Sequence, residues 1–122
     1  MNSPPLCLLH NPRCSKSRQA LAMLEAASAP FSIRFYLQDP LLADELDDLL
    51  GKIDGPAKAL VRWSDAKKAG ITLDADASEN RLRDWLARHP ETMQRPVLMG
   101  PDQAIIGRPP EALRPLIDQH RP

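Results

Sequence analysis

"LCLLHNPRCSKSRQALAMLEAASAPFSIRFYL", residues 6–37, changes its hydrophobic period twice, and those changes decide the fold. The opening "LCLL" is a continuous apolar run of strand length, the pattern of a buried strand. "NPRCSKS" reads as a loop. Ala20, Leu21, Leu24 and Ala27 then recur at helical spacing and predict a helix from about Ser15 to Ala27. "SAP" ends it. In "FSIRFYL" (31–37) Phe31, Ile33, Phe35 and Leu37 alternate, which predicts a second strand with those four side chains on one face. A strand–helix–strand unit implies two parallel strands joined by a right-handed crossover.

Downstream, Leu42, Leu46, Leu49, Leu50 and Ile53 share a helical face in "LADELDDLLGKI". "PAKALVRW" predicts a short helix with proline in its first turn. "SDAKKAG" predicts another, with Ser64 or Asp65 as N-cap and Gly70 past its end. Ser78 opens a longer helix through "ENRLRDWLARH" with Leu82, Trp85 and Leu86 on its apolar face, and Pro90 stops it. "RPVLMG" and "QAIIGRP" read as strands joined by a hairpin turn at "GPDQ". "PPEALRPLIDQH" closes the chain as a helix that Pro115 breaks or kinks. The order gives an α/β, thioredoxin-like fold with a mixed four-stranded sheet. A helical insertion, about 42–90, separates the N-terminal strand–helix–strand unit from the C-terminal hairpin and helix. Residues 1–122 read as a single domain, without repeat or linker.

Lys and Arg number 16, as do Asp and Glu, so the formal net charge is zero. That argues against a protein-wide field recruiting nucleic acid or an anionic membrane, and any anion site must be local. No apolar run is long enough to span a bilayer. "MNSPPLCLLHNP" has no basic leader, and its apolar run is too short for a signal peptide, so the expected compartment is the cytoplasm. Two cysteines are too few for a disulfide framework.

Cys14 opens the first helix with Arg13, Lys16 and Arg18 around it and no acid nearby. A helix N-terminus and neighbouring cations lower a thiol pKa from about 8.5 to roughly 3.5–7.5. His10, at the strand end, is placed to donate a hydrogen bond, and Ser15 and Ser17 offer hydroxyls. Cys14 therefore reads as a reactive thiolate that meets an anion. Cys7, inside "LCLL", reads most simply as a core residue, the alternative being a resolving thiol for Cys14. "CSKS" lacks the second cysteine of a dithiol oxidoreductase. A phosphatase loop needs arginine six residues after its cysteine, where this chain has Ala20. Cys7, His10, Cys14, His89 and His120 show no metal-ligand spacing.

"LHNPRCSKSR" (9–18) closely resembles the "YHNPxC-x-x-SR" start of the glutaredoxin-coupled arsenate reductase family. "FYLQDP", "KALVR", "QRPVL" and "IIGRPPE" resemble later segments of that family in the same order, and the likeness runs from residue 6 to about 117. The short end after "LRPLIDQHRP" resembles the family's shorter chromosomal branch. The resemblance implies a thioredoxin-like fold and an oxidoreductase that reduces arsenate to arsenite. It makes Cys14 the nucleophile that forms a thiolate–arsenate adduct. It makes Arg62, Arg95 and Arg108 the substrate-binding arginines, each of which alone would read as a solvated or loop charge. His10 and Ser17 become the residues that tune the thiolate, and Pro96 the cis-proline. Glutathione is the implied co-substrate and glutaredoxin the implied protein partner, with no bound cofactor. Two other functions stay open: a glutathione-linked thiol–disulfide enzyme with another substrate, and a redox-responsive binding protein of the same fold.

Overall fold

In the computed structural model, which describes residues 4–68, 70 and 77–122, β1 (Leu6–Leu9) lies inside a four-stranded sheet. Helix α1 (Ser15–Ala27) leads to β2 (Phe31–Arg34), which pairs parallel to β1 with Leu6 opposite Phe31. The hairpin strands β3 (Val97–Met99) and β4 (Ala104–Ile106) complete the order β2-β1-β3-β4, and β3 runs antiparallel to both β1 and β4. Gly100 N–H donates to the Gln103 carbonyl at 2.7 Å and closes the expected turn. Leucine on both faces of β1 is explained by its position. Leu6 and Leu8 pack with Ala20, Leu24, Leu98 and Leu116 on one side of the sheet. Leu9 packs into a second cluster with Leu46, Leu60, Leu82, Trp85 and Met93 on the other.

That second cluster belongs to the helical insertion. It contains α2 (Ala43–Lys52), a 3-10 turn at Ala57–Leu60, α3 (Trp63–Lys68), α4 (Glu79–Arg88) and a 3-10 turn at Pro90–Thr92. Ser78 caps α4, its hydroxyl accepting the Arg81 N–H at 3.2 Å. Ser78→Ala leaves that N–H without its side-chain acceptor, and an expected loss of about 1 kcal/mol is measurable by urea unfolding.

Three local expectations need correction. The second strand stops at Arg34, not Leu37. Gln38 and Asp39 N–H both donate to the Phe35 carbonyl, and the Arg34 guanidinium draws the Asp39 and Pro40 carbonyls and the Glu45 carboxylate around itself. The chain therefore turns. Ile33, Phe35 and Leu37 are exposed on this edge of the sheet, and Tyr36 is the buried residue. The helix expected over "PAKALVRW" is only the short 3-10 turn, with Pro56 preceding it as its cap. Val61 leaves it to form a β-bridge with Met93. The next helix starts at Trp63, so Ser64 and Asp65 lie within its first turn, and Arg62 accepts the Asp65 and Ala66 N–H groups. The closing helix does divide at Pro115, as expected. Pro115 stands in the first turn of α5 (Arg114–Gln119), where no intrahelical N–H is required, after a 3-10 turn at Pro110–Leu113. Ala69 in the expected "SDAKKAG" helix, and Met1 to Ser3 of the segment read for a leader, lie outside the described residues.

Candidate active site

Four segments meet at the end of β1. The first is the "HNPRCSKS" loop. Cys14 has extended backbone angles (φ −93°, ψ 122°) and is the N-cap of α1. The first turn of a helix has N–H groups without intrahelical partners and the positive end of the dipole, so the geometry favours an anion at the Cys14 side chain. Beneath it, His10 Nδ1 lies 2.6 Å from Ser17 Oγ, and that oxygen also accepts the Asn11 N–H at 3.0 Å. His10 and Ser17 are both buried. Burial first and Arg18 second lower the His10 pKa, so the ring is neutral at pH 7. A neutral ring accepting the Ser17 proton at Nδ1 satisfies all three groups.

The second and third segments are stitched together before they reach the site. Arg62 N–H donates to the Thr92 carbonyl and Gln94 N–H to the Leu60 carbonyl, both at 2.7 Å, around the Val61–Met93 bridge. This ladder places Arg62, at the start of α3, beside Arg95, at the entry to β3. Arg108 follows β4, and its Nε donates to the Arg95 carbonyl at 2.9 Å. Gly107 is required here: a Cβ would stand 2.9 Å from Pro96 Cγ and 3.0 Å from Leu113 Cδ1. The Arg95–Pro96 peptide is cis, as the resemblance implied, and so is Arg108–Pro109, which the sequence did not suggest.

A cavity of about 430 Å³ is lined by Asn11, Arg13, Cys14, Ser15, Lys16, Arg62, Arg95 and Arg108. Cys14 and all three expected arginines thus share one space. Arg13 and Lys16 face it too, whereas Arg18 turns away and donates to the Pro12 carbonyl at 2.8 Å. Burial pushes the Cys14 thiol up. The Ser17 and Lys16 amides and the Arg95 guanidinium outweigh it, and the pKa lies below the ordinary thiol value. Tyr36 sits under the site with its hydroxyl buried and without a hydrogen-bond partner among the described residues. Burial raises its pKa to about 12, so the phenol stays neutral.

Cys7 lies elsewhere. It packs against the second cluster and lines a separate hollow with Leu9, Arg34, Leu41, Glu45, Asp48 and Met99. Cys7→Ser is expected to keep turnover within about twofold, since a solvent-reachable hydroxyl replaces a half-buried thiol of similar size. Near-complete loss of activity in a folded mutant would instead make it a resolving thiol.

Besides Tyr36, sequence reasoning missed two residues. Asn11 lines the cavity, and its Oδ1 accepts the Arg13 N–H at 3.0 Å. Asp65 pairs with Arg62 three residues before it and with Arg95 on another segment. The acid-after-arginine spacing on a helix was a usable sign for the first pair. Nothing local signals the second.

The fold and the site define a thioredoxin-like protein with one cysteine at a helix start and arginines gathered from the distant half of the chain. The chain belongs to the ArsC family, whose family model matches residues 9–116. It is 34% identical over 108 residues to the arsenate reductase of Haemophilus influenzae, covering 87% of this chain and 93% of that one. It is 36% identical over 113 residues to the uncharacterized protein YfgD of Escherichia coli, covering 90% and 94%. A solved arsenate reductase from Vibrio cholerae superposes with a TM-score of 0.74 at 31% identity, over 93% of this chain and 98% of the other. No helix among the described residues is long and apolar enough to cross a membrane.

Proposed function

We propose that this chain is an arsenate reductase of the glutathione- and glutaredoxin-coupled type, with Cys14 as nucleophile and Arg62, Arg95 and Arg108 as oxyanion ligands. The observation that carries the reading is the shared cavity, in which a thiol with a lowered pKa opens onto all three guanidinium groups. Arsenate is a tetrahedral oxyanion, and guanidinium groups bind such anions with paired, charge-assisted hydrogen bonds. The Cys14 sulfur attacks As(V), an As–S bond forms, and an arsenate oxygen leaves as water after protonation. The arginines stabilise the charge on the departing and remaining oxygens. Glutathione then attacks the adduct. The two thiols supply two electrons, As(V) leaves as arsenite, and Cys14 and glutathione remain as a mixed disulfide that glutaredoxin reduces. A second protein thiol is unnecessary in this sequence of steps, which fits a "CSKS" motif with one cysteine. His10 and Ser17 tune the thiolate indirectly, since their bond fixes the first turn whose amides face the sulfur. Such a reaction belongs in the reducing cytoplasm.

The test is arsenate-dependent NADPH oxidation by the purified protein with glutathione, glutaredoxin and glutathione reductase. Turnover that requires all of these is expected. Turnover that persists without glutaredoxin would overturn the coupled type. A Cys14 thiol that still titrates below the ordinary thiol value but gives no turnover would mean another substrate for the same thiol.

A further inference from the structure

Asp65 puts a carboxylate beside an anion site, and Coulomb's law alone makes that unfavourable for both thiolate and oxyanion. Its contacts give it another effect. Asp65 Oδ2 accepts from Arg95 Nη1 at 2.6 Å and from Arg62 Nη1 at 3.4 Å. The same Arg95 Nη1 lies 3.3 Å from the Glu91 carbonyl and 3.4 Å from the Met93 carbonyl. One end of the Arg95 fork is therefore held by a carboxylate and a turn of backbone, while the guanidinium faces Cys14 across the cavity. Arg95 is the best buried partner, with its side chain 14% exposed against 21% for Asp65 and 33% for Arg62.

We propose that Asp65 is a positioning residue that aims Arg95 at the Cys14 sulfur and ties Arg62 to the same point. A long arginine side chain samples many rotamers, and fixing its plane in advance removes that loss of freedom from the binding step. The gain in aim outweighs the through-space repulsion because Asp65 touches the arginines and lies behind them, outside the lining of the cavity. The inference rests on the reading of Cys14 and Arg95 as reacting and binding groups, but its titration readout needs no arsenate.

The experiment is the pH dependence of Cys14 alkylation by iodoacetamide in the Cys7→Ser background, comparing Asp65→Ala with Asp65→Asn. Both variants delete the charge, and only asparagine keeps an oxygen that accepts from Arg95. Other charges and titrating groups around the sulfur, namely Arg13, Lys16, Arg62, Arg108, His10 and Tyr36, are common to both. Asp65→Ala is expected to titrate about half a unit or more above Asp65→Asn, with the arsenate KM raised several-fold relative to asparagine. Equal titration, or alanine below asparagine, means that Asp65 acts by charge alone and overturns the proposal. Asp65→Ser, short and uncharged, replaces the alanine variant if that chain does not fold. Absence of arsenate turnover in every variant would sink the substrate assignment while leaving the titration readable.

Discussion

Cys14→Ser is expected to abolish arsenate-dependent NADPH oxidation, a loss of at least about 1,000-fold, while the protein stays folded. A serine hydroxyl cannot ionise near neutral pH, so the nucleophile is gone and no mixed disulfide can form. The position also makes the mutant unusually clean. Cys14 is the N-cap of α1 and makes no side-chain capping bond to it, and serine is among the best N-cap residues. Thermal unfolding should therefore show a midpoint at or slightly above that of the wild type. A folded Cys14→Ser protein that still turns over would remove Cys14 from the mechanism. The wild-type thiol itself should alkylate with a midpoint below the ordinary thiol value. Because its pKa is lowered on folding, the stability that the ionised thiol contributes is present above the unfolded pKa. It is lost as pH falls through the folded one.

Arg95→Ala has the second largest expected effect, because two consequences meet at one residue. The first is loss of an oxyanion ligand. A charge-assisted hydrogen bond contributes about 1.5–3 kcal/mol, so the arsenate kcat/KM should fall roughly 10- to 100-fold. The second is on the thiol. Burial raises the Cys14 pKa, and Arg95 is one of three groups that bring it down. Without it the titration should move up, yet not past the ordinary thiol range, since the Ser17 and Lys16 amides remain. Arg95→Lys separates the two effects. It restores charge but not the planar fork, so the thiol titration should recover further than oxyanion binding does. An Arg95→Ala enzyme with unchanged arsenate KM and unchanged Cys14 titration would dissolve the proposed site.

The first half of this architecture was legible because it is written in local patterns. "LCLL" sits between two strands and is buried on both faces, which a continuous apolar run already says. The 15–27 helix starts and ends where its period does. "FSIRFYL" misled because an alternating pattern describes a face, not whether a second layer covers it. β2 is an edge strand, and Arg34 gathers the following turn around its guanidinium. Cys14 was legible from its flanking cations and helix start. Arg62, Arg95 and Arg108 have no local signature, and only resemblance to a family singled them out. Asp65 and Tyr36 could not be found that way. The significance of Asp65 lies in an oxygen 2.6 Å from a side chain thirty positions away, and that of Tyr36 in a hydroxyl buried beneath the site.

The pairing of β1 with β3 sets Leu9 directly across from Val97, with the whole helical insertion looped between them. Closing so long a loop costs an entropy that grows only as the logarithm of its length, so doubling it costs only about 0.6 kcal/mol more. The cysteine end of the cavity and its arginine end thus have no shared existence until that closure is made. Loop closure itself sets little penalty on the length of that insertion, whose packing carries the cost of any change. The cavity therefore reports on the finished sheet rather than on any one part.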